Sequence, residues 1–183
     1  MVSSPLISRF GIIQRFNYYP PEELALIIHR SSKILDVEVE DDAALLMAEC
    51  SRGTPRVANR VLRRMRDFAQ IFGEGTITKK IATEGLTRLG IDRLGLEKYD
   101  REILLSIIQN YGGGPVGAET LAISIGESID TLEDYYEPYL IQCGLLQRTP
   151  RGRVVTEKAY KHLGLPFSAK NENTDFVQNR LLF

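Results

Sequence analysis

The chain has 183 residues, of which 43% are hydrophobic and 26% charged, with a formal net charge of -1. That is the composition of an ordinary soluble globular protein, long enough for one or two small domains with their own cores. A near-zero charge excludes a general attraction to nucleic acid or membrane, so any such binding must come from local patches.

No apolar run approaches the ~18 residues that cross a bilayer, and "MVSSPLISRF" does not read as a secretory signal. Cys50 and Cys143 are expected to be buried thiols in a reducing, cytoplasmic setting. His29 and His162 have no metal-ligand spacing, and no metal site is expected.

Residues 9–19, "RFGIIQRFNYY", alternate like one β-strand without a nearby partner, so residues 1–19 either pack onto something absent here or are the tail end of another domain. Four helices follow closely. Pro20 and Pro21 open the first, with Glu22 and Glu23 in its first turn and Leu24, Ile27, Ile28 and Leu35 as its apolar stripe. Asp41 or Asp42 is expected to cap a second helix through Cys50. Thr54 and Pro55 read as cap and first residue of a third, 55–72, bearing Val57, Val61, Met65 and Phe68. Thr78 is expected to cap a fourth through Leu89. Short loops make 20–90 a helical bundle, and 89–98 reads as a linker.

The last third differs. Helices are expected over 100–111, 118–125 and 130–142, the last kinked at Pro138. "GGGPVG", 112–117, must be a loop. Two short strands flank "TPRG", and Thr156 is expected to cap a closing helix. This order is that of a winged helix over 93–165, a helix-turn-helix with a β-hairpin wing. The polar residues 166–183 read as a mobile tail.

Charge is distributed unevenly over that module. Residues 144–163 carry Arg148, Arg151, Arg153, Lys158 and Lys161 against Glu157, a net +4, while 127–138 carry a net -5. A sequence-reading module puts basic or amide side chains on its recognition helix; here that helix is acidic. Contact with nucleic acid is therefore expected from the wing, through phosphates. A hairpin charged only for solubility is the plainer alternative. The second basic cluster, "RGTPRVANRVLRRMR", has Arg56 in the first turn of its helix. A cation is disfavoured there unless an anion is bound, which suits a phosphate; a plain surface arginine is the alternative.

Together, "SRFGIIQRFNYY", "RGTPRVANRVLRRMRDFA", "GGPVG", "EPYLIQCGLLQRTPRGR" and "AYKHL" closely resemble the RuvB family, bacterial motors of Holliday-junction branch migration, from about Ser4 to Leu163. The resemblance implies a mainly α chain: the end of a large ATPase domain, a helical AAA+ lid and a winged-helix head. It implies ATP and magnesium as cofactors of the whole motor, duplex DNA at Holliday junctions, a homohexamer, and the partners RuvA and RuvC. It further implies that Arg9 is an arginine finger acting in trans, Arg56 a sensor of the γ-phosphate, and Tyr19 a nucleotide contact, unless Tyr19 is merely a core tyrosine. Arg148 and Arg153, with Arg151 between them, match the family's DNA-binding arginines.

The departure is that no G-x-x-x-x-G-K-[ST] occurs in these residues. The chain alone is therefore expected to bind DNA weakly, to hold no nucleotide tightly and to hydrolyse none. Two other functions fit parts of the pattern: a winged-helix transcriptional regulator with a helical dimerisation domain, and a winged helix used for protein contact.

Overall fold

The computed structural model describes residues 17–167. Arg9, most of the expected N-terminal strand and the tail from 168 onward lie outside the described residues. The chain divides between Gly95 and Leu96 into two compact units.

In the first unit, α1 (Pro21–Ile34) begins on a proline, whose missing N–H costs nothing at a helix start, and carries Glu22 and Glu23 at its positive end. Then come β1 (Glu38–Val39), α2 (Asp41–Glu49), α3 (Pro55–Phe72), β2 (Thr76–Ile77) and α4 (Lys79–Arg88). Leu24, Ile28, Met47, Leu62, Met65 and Ile77 are fully enclosed and form one core. Sequence reading had no signal for β1 and β2. They are two residues each and pair in parallel, Glu38 with Thr76 and Val39 with Ile77.

Caps were only partly legible. Thr78 caps α4 as expected, accepting from the Ile81 amide at 3.3 Å. Asp41 and Asp42 are not caps but first-turn residues, where the dipole favours them; Glu40 takes the cap position without a side-chain bond. Thr54 sits at the α3 cap position, yet its hydroxyl turns back to the Ser51 carbonyl at 3.4 Å.

In the second unit, α5 (Lys98–Tyr111) starts with Asp100 reaching back to the Glu97 amide at 2.7 Å. α6 (Ala118–Ile125) follows the glycine loop. The next helix, α7, spans 129–142 in three pieces: Ile129–Thr131 is α-helical, Leu132–Tyr136 is wound as π-helix, and Glu137–Gln142 is α-helical again. The π turn lies just before Pro138, which lacks an N–H and whose ring would crowd the carbonyl four residues back. The expected kink is therefore a wider winding. β3 (Leu146–Thr149) and β4 (Gly152–Val155) form the antiparallel wing, and α8 (Glu157–His162) closes the unit. Thr156 precedes α8 but does not cap it; its hydroxyl donates to the Gly144 carbonyl at 2.7 Å. Both thiols are free, Cys50 buried and Cys143 only partly so, a correction to the expectation of two buried cysteines.

Candidate functional site

The wing is held on both sides of β4. Its turn is short: Thr149 pairs with Gly152, and only Pro150 and Arg151 lie between. The Thr149 hydroxyl donates to the Gly152 carbonyl at 2.8 Å. On the other edge, Val116 and Arg153 exchange amide–carbonyl bonds of 3.0 and 2.8 Å, so the glycine loop supplies a third extended segment. The backbones approach very closely there. A Cβ on Gly152, where φ is +135°, would stand 2.4 Å from the Val116 carbonyl oxygen. Only glycine fits that spot.

This register sets Arg148 directly opposite Arg153. Like charges facing each other across two strands repel, so an anion is needed nearby. Glu137, with no exposed surface, supplies it. Its Oε2 accepts from Arg148 Nε, and its Oε1 accepts from Arg153 Nε at 2.7 Å. Glu133, one turn earlier on α7, accepts from Arg153 Nη2. Burial pulls the Arg153 guanidinium down, but the hydrogen bonds and charges of Glu137 and Glu133 outweigh it and hold it above the ordinary arginine value. The side chain of Arg153 is 13% exposed, that of Arg148 46%. Arg151, at the turn, is exposed.

The sequence reading counted a basic wing and an acidic helix and assigned neither as the other's partner. The +4 and -5 stretches are partly paired with each other. Sequence reasoning missed Glu133 and Glu137 as wing partners. A signal existed in their four-residue spacing, which puts two carboxylates on one face of a helix.

In the first unit, the Tyr19 amide donates to the Gly53 carbonyl at 2.9 Å, which holds Tyr19 against the turn that leads into α3. Arg52 pins that turn: it adopts a left-handed φ of +52°, is buried, and donates through Nε to the Gly95 carbonyl at 3.0 Å. Tyr19 itself is 41% exposed, so it is not a core tyrosine. Arg56, the second residue of α3, is exposed, and no acid lies in that first turn. No cluster of metal-ligating residues occurs among the described residues. No described helix is long and apolar enough to cross a membrane.

Comparison with known proteins agrees with both halves of this geometry. Residues 19–92 match the RuvB AAA lid domain, and residues 93–164 match the RuvB C-terminal winged helix domain. The chain belongs to the RuvB family. It is 73% identical over 165 residues to the RuvB branch migration subunit of Treponema denticola, and 65% identical over 166 residues to that of Treponema pallidum. Those matches cover 90% and 91% of this chain but 48% and 47% of the relatives, so the chain spans about half the length of the curated RuvB proteins it matches. A solved structure of the Thermotoga maritima RuvB Holliday junction branch migration motor superimposes with a TM-score of 0.88 at 50% identity, covering 91% of this chain and 56% of that one. The RuvB lid thus carries Tyr19 and Arg56, and the RuvB winged helix carries Arg148, Arg151 and Arg153.

Proposed function

We propose that this chain is the lid and head portion of an ATP-driven DNA translocase that moves Holliday junctions in recombination and repair. The observation that carries the reading is the continuous RuvB match through both domains, joined to a winged helix whose cations lie on the wing. The acidic α7 speaks against a base-reading regulator: residues 127–138 carry no Lys or Arg to offer a base, and Glu127, Asp130 and Asp134 remain to repel phosphates beside the two acids that the wing arginines engage.

In this reading the head grips duplex DNA through phosphates, with Arg148 and Arg151 outermost and Arg153 behind them. Backbone contact without base contact is what a motor moving over any sequence requires. The intact motor is a homohexamer around duplex DNA, loaded at junctions by RuvA and working with the resolvase RuvC.

ATP with magnesium is the cofactor of the whole motor, and its hydrolysis supplies the energy of translocation. The start of α3 suits a phosphate: first-turn amides that the Thr54 side chain does not cap, an exposed Arg56 and no acid in the first turn. Tyr19 stands beside that turn as the nucleotide contact. Arg9 serves the neighbouring subunit's nucleotide as the trans finger; a forked, permanently charged group suits a transferring phosphoryl.

A low-salt mobility shift of the isolated chain on two unrelated duplexes tests the reading. Equal shifts are expected. A strong preference for one duplex, or no shift at all, overturns it. In a protein that also carries the nucleotide-binding domain, Arg9→Ala should cut hydrolysis by roughly 10³-fold and leave ATP binding nearly intact.

A further inference from the structure

Four charged side chains meet between α7 and the wing, and their formal charges cancel. Their exposures do not match. Glu137 has no exposed surface and is bound by both Nε groups, one on each carboxylate oxygen. Removing its partners would strand a buried carboxylate, and an incoming phosphate could not replace them, because it carries the same sign. The side chain of Glu133 is 37% exposed and holds only Arg153 Nη2. It can turn to water at modest cost, because its own carboxylate is already part-exposed and Arg153 Nη2 keeps a second acceptor in Glu137 Oε2 at 3.4 Å. A phosphate and the Glu133 carboxylate compete for the same N–H group.

We propose that Glu137 is the fixed positioning residue of the wing and Glu133 its exchangeable one: a backbone phosphate takes the Arg153 N–H group that Glu133 holds, while Glu137 keeps both guanidiniums aimed by their Nε edges. The inference rests on the phosphate-gripping reading of the wing. In it, Arg153 contributes to binding only after Glu133 has moved aside, whereas Arg148, already half-exposed, contributes from the outset.

The test compares Glu133→Gln, Asp134→Asn and Glu137→Gln with the wild-type 183-residue chain, by anisotropy on a short duplex and by thermal melting. Asp134 is an exposed acid on the same segment, so its variant makes the same change in net charge. Glu133→Gln should tighten duplex binding about threefold, and Asp134→Asn by less than about half of that effect in log affinity. Glu133→Gln should leave the melting temperature within about 3 °C of wild type, while Glu137→Gln should lower it by roughly 10 °C or more. Tightening by Glu133→Gln no greater than by Asp134→Asn, or a loss of stability equal to that of Glu137→Gln, overturns the exchange while leaving the DNA reading intact. A wild-type chain that binds no duplex at low salt overturns the DNA reading, and the exchange falls with it.

Discussion

Glu137 Oε1 accepts a 2.7 Å hydrogen bond from Arg153 Nε, and the carboxylate that does so is wholly enclosed. This contact joins the acidic helix to the central strand of the wing. It also explains how a strand pair can place two arginines face to face. A buried ion pair is weak evidence of net stabilisation, but breaking one by deleting a single partner is expensive. Arg153→Ala should therefore destabilise the winged-helix unit by about 3 kcal/mol, the low end of the usual range, since Glu137 keeps Arg148. Arg148→Ala, at a half-exposed site, should cost about 1 kcal/mol or less. Urea unfolding followed by circular dichroism measures both, and equal costs would contradict the difference in burial.

The wing should depend on glycine at its turn. Gly152→Ala would place a methyl 2.4 Å from the Val116 carbonyl oxygen at a φ of +135°. The backbone on both sides must shift. We expect a loss of about 2 kcal/mol or more, at the upper range for a strained, crowded position. Amide exchange should show the Val116–Arg153 bonds opening first. A variant with wild-type stability and unchanged exchange would refute the close approach.

Salt dependence separates the wing arginines. Each neutralised phosphate adds about 0.9 to the slope of log affinity against log salt. Arg148→Ala should weaken binding to two unrelated duplexes alike and lower the slope by about one. Arg151→Ala should lower it by less unless the turn enters a groove. A loss confined to one duplex would instead indicate a base contact, worth roughly 1–3 kcal/mol at one base pair.

Thiol chemistry should discriminate the cysteines. Burial, then the charges of Glu49 and Asp92, push the Cys50 thiol up to about 11. The thiolate is the reactive form, so Cys143 should react first with a disulfide reagent at pH 8, and Cys50 only slowly. The same shift has a pH consequence. Up to about pH 9 the thiol is protonated whether the chain is folded or unfolded; between about 9 and 11 only the unfolded chain ionises it, so stability falls across that window. Cys50→Ala should show a shallower decline there than wild type. Parallel curves would remove the cause.

Much of the fold is legible in local residue chemistry. Pro21 and Pro55 at helix starts, Thr78 at a cap, and the glycines bounding Ala118–Ile125 each act within a turn of chain, so the sequence alone determines those elements. The same holds for the tight turn of Pro150 and Arg151, and for the motifs that mark the lid and the winged helix. Where two partners competed for one group, only the tertiary structure decided. The hydroxyls of Thr54 and Thr156 went to carbonyls instead of helix amides, and a two-residue strand found its mate 38 positions away. The charge pattern is the clearest case. Counting signs along the chain revealed a basic wing and an acidic helix, but not that they meet. Arg153 lies 16 positions from Glu137 and 20 from Glu133. Whether such charges pair depends on strand register, on the wide turn before Pro138 and on the burial of one carboxylate. All three arise from packing between elements and are absent from any single stretch of sequence.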